Sequence, residues 1–402
     1  MYVVNYADKK GWVIVSASTD YAPILAHSDE GNFDVSGIER NAIEVWVDET
    51  KSVIESMKTA PEEEKEKYHT QWMYYASKSV PLTDAVPLTR DDASEALAYQ
   101  NQCALQWEAE GYDVYLLIGF ADSQPSYVSN SLLNQIYDDA YTYGTDQYDG
   151  VLYNSLVLTT KEIIEEHPAL IQTKWKQGSP YNDSIPNHFY NIYGIPYYYY
   201  ENDTLKNFYV GCGPLAVAQI MRYHEYPTTF NWNNMPNTAT PSTMTSDLAS
   251  FLKEIHLSAV TGYNLNTGES SSTIPSILNT LHNYGYEASP SISHNINTVE
   301  SEIDNNRPVL MFGYKTNSGG GHAWLCDGYY VRTLYHEVIL KTMQTKSSFY
   351  TVNYGYYGTN STENYFYMVW GLDDKGDGSY LDSNSTFNYN RQDIINIYPT
   401  NN

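Results

Sequence analysis

Residues 210–227 read VGCGPLAVAQIMRYHEYP, and the rest of the chain is interpreted outward from this stretch. It predicts one helix with marked ends. Gly211 precedes it, Pro214 falls in its first turn, where a missing N–H costs little, and Pro227 follows it. Cys212 therefore stands where a glycine leads into a helix, facing unpaired backbone N–H groups and the positive end of the helix dipole. That position favours the thiolate, the form of cysteine that attacks carbonyl carbon. The competing interpretation is a small cysteine packed at a helix start.

A cysteine nucleophile needs a base. Of ten histidines, His322 has the most unusual setting, SGGGHAWLCDGYY at 318–330, where three glycines allow close backbone approach or simply form a hairpin loop. The strand predicted after them carries His322, Trp324 and Cys326 on one face and Ala323, Leu325 and Asp327 on the other. His224 and His256 lie in helical contexts that suit packing or surface roles, and His27, His69 and His167 are far from Cys212 in sequence. Acyl transfer also needs donors for an oxyanion and a group that orients the imidazole. Gln177, in TKWKQGSPYND, offers a side-chain amide, and Asn353, in TVNYGYYG, sits on a predicted late strand among aromatic residues. Neither stands out alone.

The 402 residues suggest two or three domains at roughly 100–200 residues each. A formal charge of -26 argues against nucleic acid as a partner, because phosphate binding wants a basic stripe. No apolar run approaches the roughly 20 residues of a membrane-spanning helix. Three cysteines, Cys103, Cys212 and Cys326, cannot close a disulfide framework; Cys103 and Cys326 are expected to be packed thiols. Residues 1–160 hold 26 acidic and 9 basic side chains, against 22 and 13 in 161–402, so the first piece is expected to be a separate, solvated unit. It opens with strand-like alternation at Val3, Val4 and Trp12–Val15. Helical patterns follow at 41–57 and from Pro61, then a Pro-broken linker at 81–92. The polar stretch 138–150 marks the expected boundary. Beyond it, 161–175 is expected to begin as a helix that Pro168 interrupts, and PVLMFGY, HAWLCDGYYV, FYTVNYGY and IINIYP are expected as strands. A helical half followed by an antiparallel half is an α+β pattern. LDDKGDGSYLD at 372–382 departs from a calcium loop at Lys375 and lacks the closing Glu, so it is expected as a surface loop.

The order Gln177, Cys212, His322, Asn353 is that of papain-like cysteine peptidases, and the surrounding residues resemble the streptopain family among them. GCGPLAVAQIMRYHEYP looks like that family's nucleophile helix. KQGSPYN, FNWNNMP, GGHAWLCDGY and VNYGYYG are similar to its other motifs, and residues 11–34 resemble the start of its propeptide. No match is found between roughly 50 and 160. The resemblance implies a papain-like catalytic domain of about 161–402 behind a mixed α/β inhibitory propeptide of about 1–160, with cleavage in 138–160. It implies Cys212 as nucleophile, His322 as base, Gln177 beside the Cys212 N–H at the oxyanion and Asn353 orienting His322. Protein or peptide substrates, a secreted or cell-surface location and no metal or organic cofactor complete the expectation. The departures are Tyr354 and Tyr356 where the family has Trp, Tyr357 where it has Gly, and Gly213-Pro214 after the cysteine. A rival interpretation is a catalytically silent relative acting as a surface binding or adhesion protein, suggested by 41 Tyr and 8 Trp. Another keeps the thiol chemistry for an amidase or transferase.

Overall fold

The computed structural model describes residues 1–34, 42–77, 92–109, 112–118, 130–143, 147–148, 151–290, 292–314, 321–345, 348–372, 376–382 and 389–400. The N-terminal part contains β1 (Tyr2–Asn5), β2 (Trp12–Val15), β3 (Ile24–Ser28), α1 (Ala42–Met57), α2 (Glu62–Ser77), α3 (Asp92–Ala109), β4 (Asp113–Ile118) and α4 (Asn130–Tyr143). Then come β5 (Val151–His167), β6 (His188–Tyr190), β7 (Pro196–Tyr198), β8 (Tyr200–Glu201), β9 (Thr204–Leu205) and the helices α5 (Cys212–His224), α6 (Ser246–Ala259), α7 (Ile274–Asn283) and α8 (Ile296–Asp304). The C-terminal part is mostly strand: β10 (Val309–Tyr314), β11 (Gly321–Thr345), β12 (Ser348–Val369), β13 (Gly378–Leu381) and β14 (Tyr389–Ile394). This is the α+β arrangement the sequence predicts.

One antiparallel sheet runs β1-β2-β3-β13-β12-β11-β10-β14. Alternation along β11 sorts its side chains between two cores, as period-two geometry requires. Ala323 and Leu325 pack with α5, α6 and α7, including Leu215, Phe251 and Ile277. Trp324 and Cys326 point to the opposite core, built with Trp12, Ile14, Ile43 and Trp46 from the N-terminal part and with Val299 and Ile303 of α8. The first piece is thus not separate. Its strands extend the sheet through β3 and β13, and its α1 lies over the face behind His322.

Other expectations also change. Residues 161–167 are strand, not helix: β5 pairs with β11 from Asn154↔Thr342 to His167↔Tyr329. The partner strand overrides local helix propensity there, and β5 runs unbroken through residues 160 and 161. In the polar stretch 138–150, residues 138–143 finish α4. Most of the linker expected at 81–92 lies outside the described residues. The expected loop at 372–382 contributes β13, and Asp377 within it is buried, accepting the Trp370 N–H at 2.9 Å. Cys326 is fully buried, whereas Cys103 is only half-buried.

Candidate active site

The Cys212 end of the site is set by α5. Gly211, at φ +92°, occupies a backbone region that side chains disfavour, and a Cβ there would meet the Ser270 carbonyl at 3.1 Å. The helix below is almost wholly buried from Gly213 to Met221, so the apolar packing of α5 fixes where Cys212 stands. Gln219 donates from Nε2 to the Thr173 carbonyl at 3.1 Å, which ties the incoming segment to the helix. Further up that segment, the Gln177 carbonyl accepts the Val210 N–H at 3.0 Å. Gln177 is thereby held beside the residues that immediately precede Cys212.

His322 reaches Cys212 from the other half of the molecule. It lies at the start of β11, opposite Gly313 of β10. The Cys212 thiol is hydrogen-bonded to His322, and the backbone N–H groups of Ala323 and Gly213 also point at the sulfur. Burial alone would push the thiol up. The charge and hydrogen bond of His322, with those two N–H groups, outweigh it and hold Cys212 below the ordinary thiol value. Two side chains 110 positions apart in sequence thus form one thiol–imidazole pair across the interface of helix and sheet.

The imidazole is flanked by tryptophans. Trp324 lies 6.4 Å away with its ring within 9° of parallel, Trp370 lies 6.4 Å away at 28°, and the two indoles are 5.4 Å apart. Trp370 was not singled out from sequence. The run Met368-Val369-Trp370-Gly371, a second aromatic–Gly pair after VNYGYYG, was the available signal.

Asn353 is not brought to this site. It pairs across the sheet with Ile339 and donates from Nδ2 to Glu337 Oε1 at 2.9 Å. Ile339 is 17 positions along β11 from His322, on the order of 50 Å at a strand's rise per residue. Tyr354, which stands where the family has Trp, donates its hydroxyl to Asp139 Oδ2 at 2.8 Å. The correction has a simple cause. β11 and β12 continue far beyond the site as a long arm, flanked by β5, and the VNYGYYG run lies toward its tip, whereas the part of β12 that returns beside β11 near His322 ends at Val369.

The remaining histidines behave as packing groups or lie elsewhere. His256 is fully buried, with Nδ1 donating to the Val210 carbonyl at 2.9 Å, and burial pushes it down. His224 is pushed down to about 4 by burial.

The family model described as the Peptidase C10 family matches residues 175–230 and 228–380, about half of the chain and the part that contains Gln177, Cys212 and His322. The model described as Spi protease inhibitor matches residues 1–54, from β1 into α1. Among solved structures, a prointerpain A fragment from Prevotella intermedia is similar at 14% identity and a TM-score of 0.45, over 96% of this chain and 92% of that one. The active interpain A cysteine protease of Prevotella intermedia is similar at 18% identity and a TM-score of 0.38, over 57% of this chain and 94% of that one. No curated protein matches the chain. The extent of the first match, with a thiol–imidazole pair inside it, establishes that the chain belongs to the peptidase C10 family of cysteine peptidases.

Proposed function

We propose that the chain is a secreted cysteine endopeptidase made as a zymogen, with Cys212 as nucleophile and His322 as its acid–base partner. The observation that carries this reading is the hydrogen-bonded Cys212–His322 pair at the N-terminus of a buried helix. The Cys212 thiolate attacks the scissile carbonyl carbon, and the oxygen takes up the negative charge. The Cys212 backbone N–H and the Gln177 amide are the donors proposed for that oxyanion. Collapse of the intermediate breaks the C–N bond while His322 gives its proton to the leaving amine. Water then attacks the thioester, losing its proton to His322, and the acid product leaves. The orienting role expected of Asn353 is not part of this proposal, and the rings of Trp324 and Trp370 are proposed to restrict the imidazole and keep water from it.

Residues 1–54, matched by the inhibitor model, support a covering propeptide. We place its removal in the stretch 138–160, and within that stretch ahead of Val151. β5 is laddered to β11 over fourteen residue pairs, and a cut ahead of it leaves that ladder in the mature chain. The test is to incubate the purified chain with a thiol reductant beside Cys212→Ala, following intact mass. The expected result is loss of an N-terminal piece from the parent alone, leaving a new N-terminus between 144 and 151. A parent chain that neither cleaves itself nor is labelled at Cys212 by a peptidyl electrophile would refute the enzyme and favour the silent binding protein. Labelling without turnover of any protein substrate would favour the amidase or transferase.

A further inference from the structure

Between the Gln177 segment and α5 the chain throws out a hairpin whose surface is unlike the rest of the molecule. Of the twenty large apolar side chains that are exposed among the described residues, eight lie between Tyr190 and Leu205. Ile192 is 91% exposed and Tyr193 80%. Tyr190, Tyr197, Tyr198 and Tyr200 are also exposed behind this tip. No Asp, Glu, Lys or Arg occurs from Ser184 to Tyr200, in a chain with 48 acidic and 22 basic residues.

The hairpin is built to hold this tip out. Its base is anchored by Phe189, stacked on Tyr263 at 5.1 Å and on Tyr197 at 5.6 Å, which joins β6 and β7 to the helical core. At the turn, Asn191 Oδ1 accepts the N–H groups of both Tyr193 and Ile195. The Asn191 N–H donates to the Ile195 carbonyl and the Gly194 N–H to the Asn191 carbonyl. Gly194 supplies the φ of +72° that the turn requires, with open space around it. Four backbone N–H groups at the tip are thus satisfied within the turn, so carrying it out of water leaves none of them orphaned.

We propose that the Ile192–Ile195 tip inserts into the interfacial layer of a zwitterionic lipid bilayer and docks the folded chain there as a peripheral protein. Apolar residues at the tip with tyrosines behind them match the polarity gradient from acyl chains to headgroups, where tyrosine is favoured. The absence of charge on the hairpin removes the main desolvation cost. The chain's net charge of -26 would be repelled by an anionic surface, so the bilayer it fits is a neutral one. A convex, self-satisfied turn also differs from the open sheet edge or groove that takes up an extended peptide. This inference is independent of the peptidase assignment.

The experiment uses the full chain carrying Cys212→Ala, which keeps it whole, sedimented with extruded phosphatidylcholine vesicles. The bound fraction should rise with lipid and be insensitive to salt. It should fall about tenfold or more in Ile192→Asp/Ile195→Asp, because a buried carboxylate is costly at the bilayer. Ile192→Trp, which keeps the tip apolar, should pellet at least as well as the parent. No pelleting of the parent chain, pelleting that requires phosphatidylserine, or equal pelleting of the Asp variant would each overturn the proposal. So would a loss in the Trp variant as deep as that in the Asp variant, which would mark damage to the hairpin. If the two Asp substitutions, placed in the chain that retains Cys212, instead raised KM for a folded protein substrate in lipid-free solution, with vesicle binding unchanged, the tip would be a substrate-docking site and the lipid proposal would fail.

Discussion

Replacing His322 with Ala should change the chemistry of Cys212 in a way that pH alone can display. In the folded chain burial opposes ionisation of the thiol, and the charge and hydrogen bond of His322 reverse that opposition. A hydrogen bond to a charged group contributes about 1.5–3 kcal/mol, and about 1.4 kcal/mol is a factor of ten in an equilibrium. The thiolate population near pH 6 should therefore fall roughly 10- to 100-fold in His322→Ala. The N–H groups of Ala323 and Gly213 still point at the sulfur, so ionisation is impaired rather than abolished. The assay is alkylation by iodoacetamide across pH 5–10, resolved by peptide mass so that the half-buried Cys103 is scored separately. Parent and variant rates should diverge in acid and converge in strong base, where the thiol ionises without help. His322→Gln, which keeps a polar group but no charge, should fall between them. Identical pH profiles for parent and His322→Ala would refute the reasoning, because the pair would then contribute nothing to the thiolate.

Asn353→Ala should leave turnover of a peptide substrate within about twofold of the parent and lower stability by about 0.5–1.5 kcal/mol, since its amide serves Glu337 on the distant arm; a large drop in kcat at unchanged folding would show that it reaches His322 after all. A second titrating cluster lies near β13 and β14, where His294 donates from Nδ1 to Asp393 at 2.8 Å and from Nε2 to Asp382 at 3.0 Å, with Arg391 beside them. Burial works against a charge on His294, but the two carboxylates prevail and hold it above the ordinary imidazole value. Its contribution is therefore complete below about pH 6.5 and is lost as pH rises through its raised value. Asp382 is pressed upward by burial, yet Arg391 and His294 bring it down to about 2, so its share is lost only as pH falls from about 4 toward 2. Thermal unfolding of His294→Gln should show its greatest deficit against the parent near pH 5–6, about 1.5–3 kcal/mol, shrinking by pH 9; a deficit that grows toward pH 9 would contradict the assigned charge.

The α5 helix and the two faces of β11 were legible because each rests on a local rule. Glycine and proline mark the helix ends, and strict alternation separates Trp324 and Cys326 from Ala323 and Leu325. Cys212 and His322 were legible for the same reason, each lying at the start of a well-marked element. The position of Asn353 was not, because it depends on register along a strand pair more than twenty residues long. A Tyr-rich segment with period two looks alike at every step, so local chemistry alone could not show that MVWG, rather than VNYGYYG, returns to the side of His322. Residues 161–167 failed in the same way, for nothing within KEIIEEH announces seven pairings with a strand some 170 residues later.

The part of the chain without recognisable motifs gains meaning from what it touches. The arm of β11 and β12 carries Phe349 and Tyr350 near its tip, and these stack on Tyr99 of α3 at 5.6 Å and Tyr143 of α4 at 4.5 Å. Trp107 of α3 meets Phe349 at 5.3 Å, and β4 completes the arm's sheet by pairing with β5. Neither family model reaches the segment from 55 to 174, which supplies α3, β4, α4 and β5. Residues of β2 and α1, Trp12, Ile43 and Trp46 among them, cover the Trp324–Trp370 face directly behind the imidazole, with Trp46 against Tyr380 at 4.9 Å and Tyr380 against Trp370 at 5.3 Å. Among the described residues, the contacts of the N-terminal region with the rest of the chain include these two sets, which differ in kind. One contact lies at the face behind His322, where packing bears on chemistry, and the other lies along an arm remote from it, where packing bears only on attachment. Severing the chain ahead of Val151 would leave both sets of contacts in place, so under the zymogen proposal a cut there would not by itself release the N-terminal region.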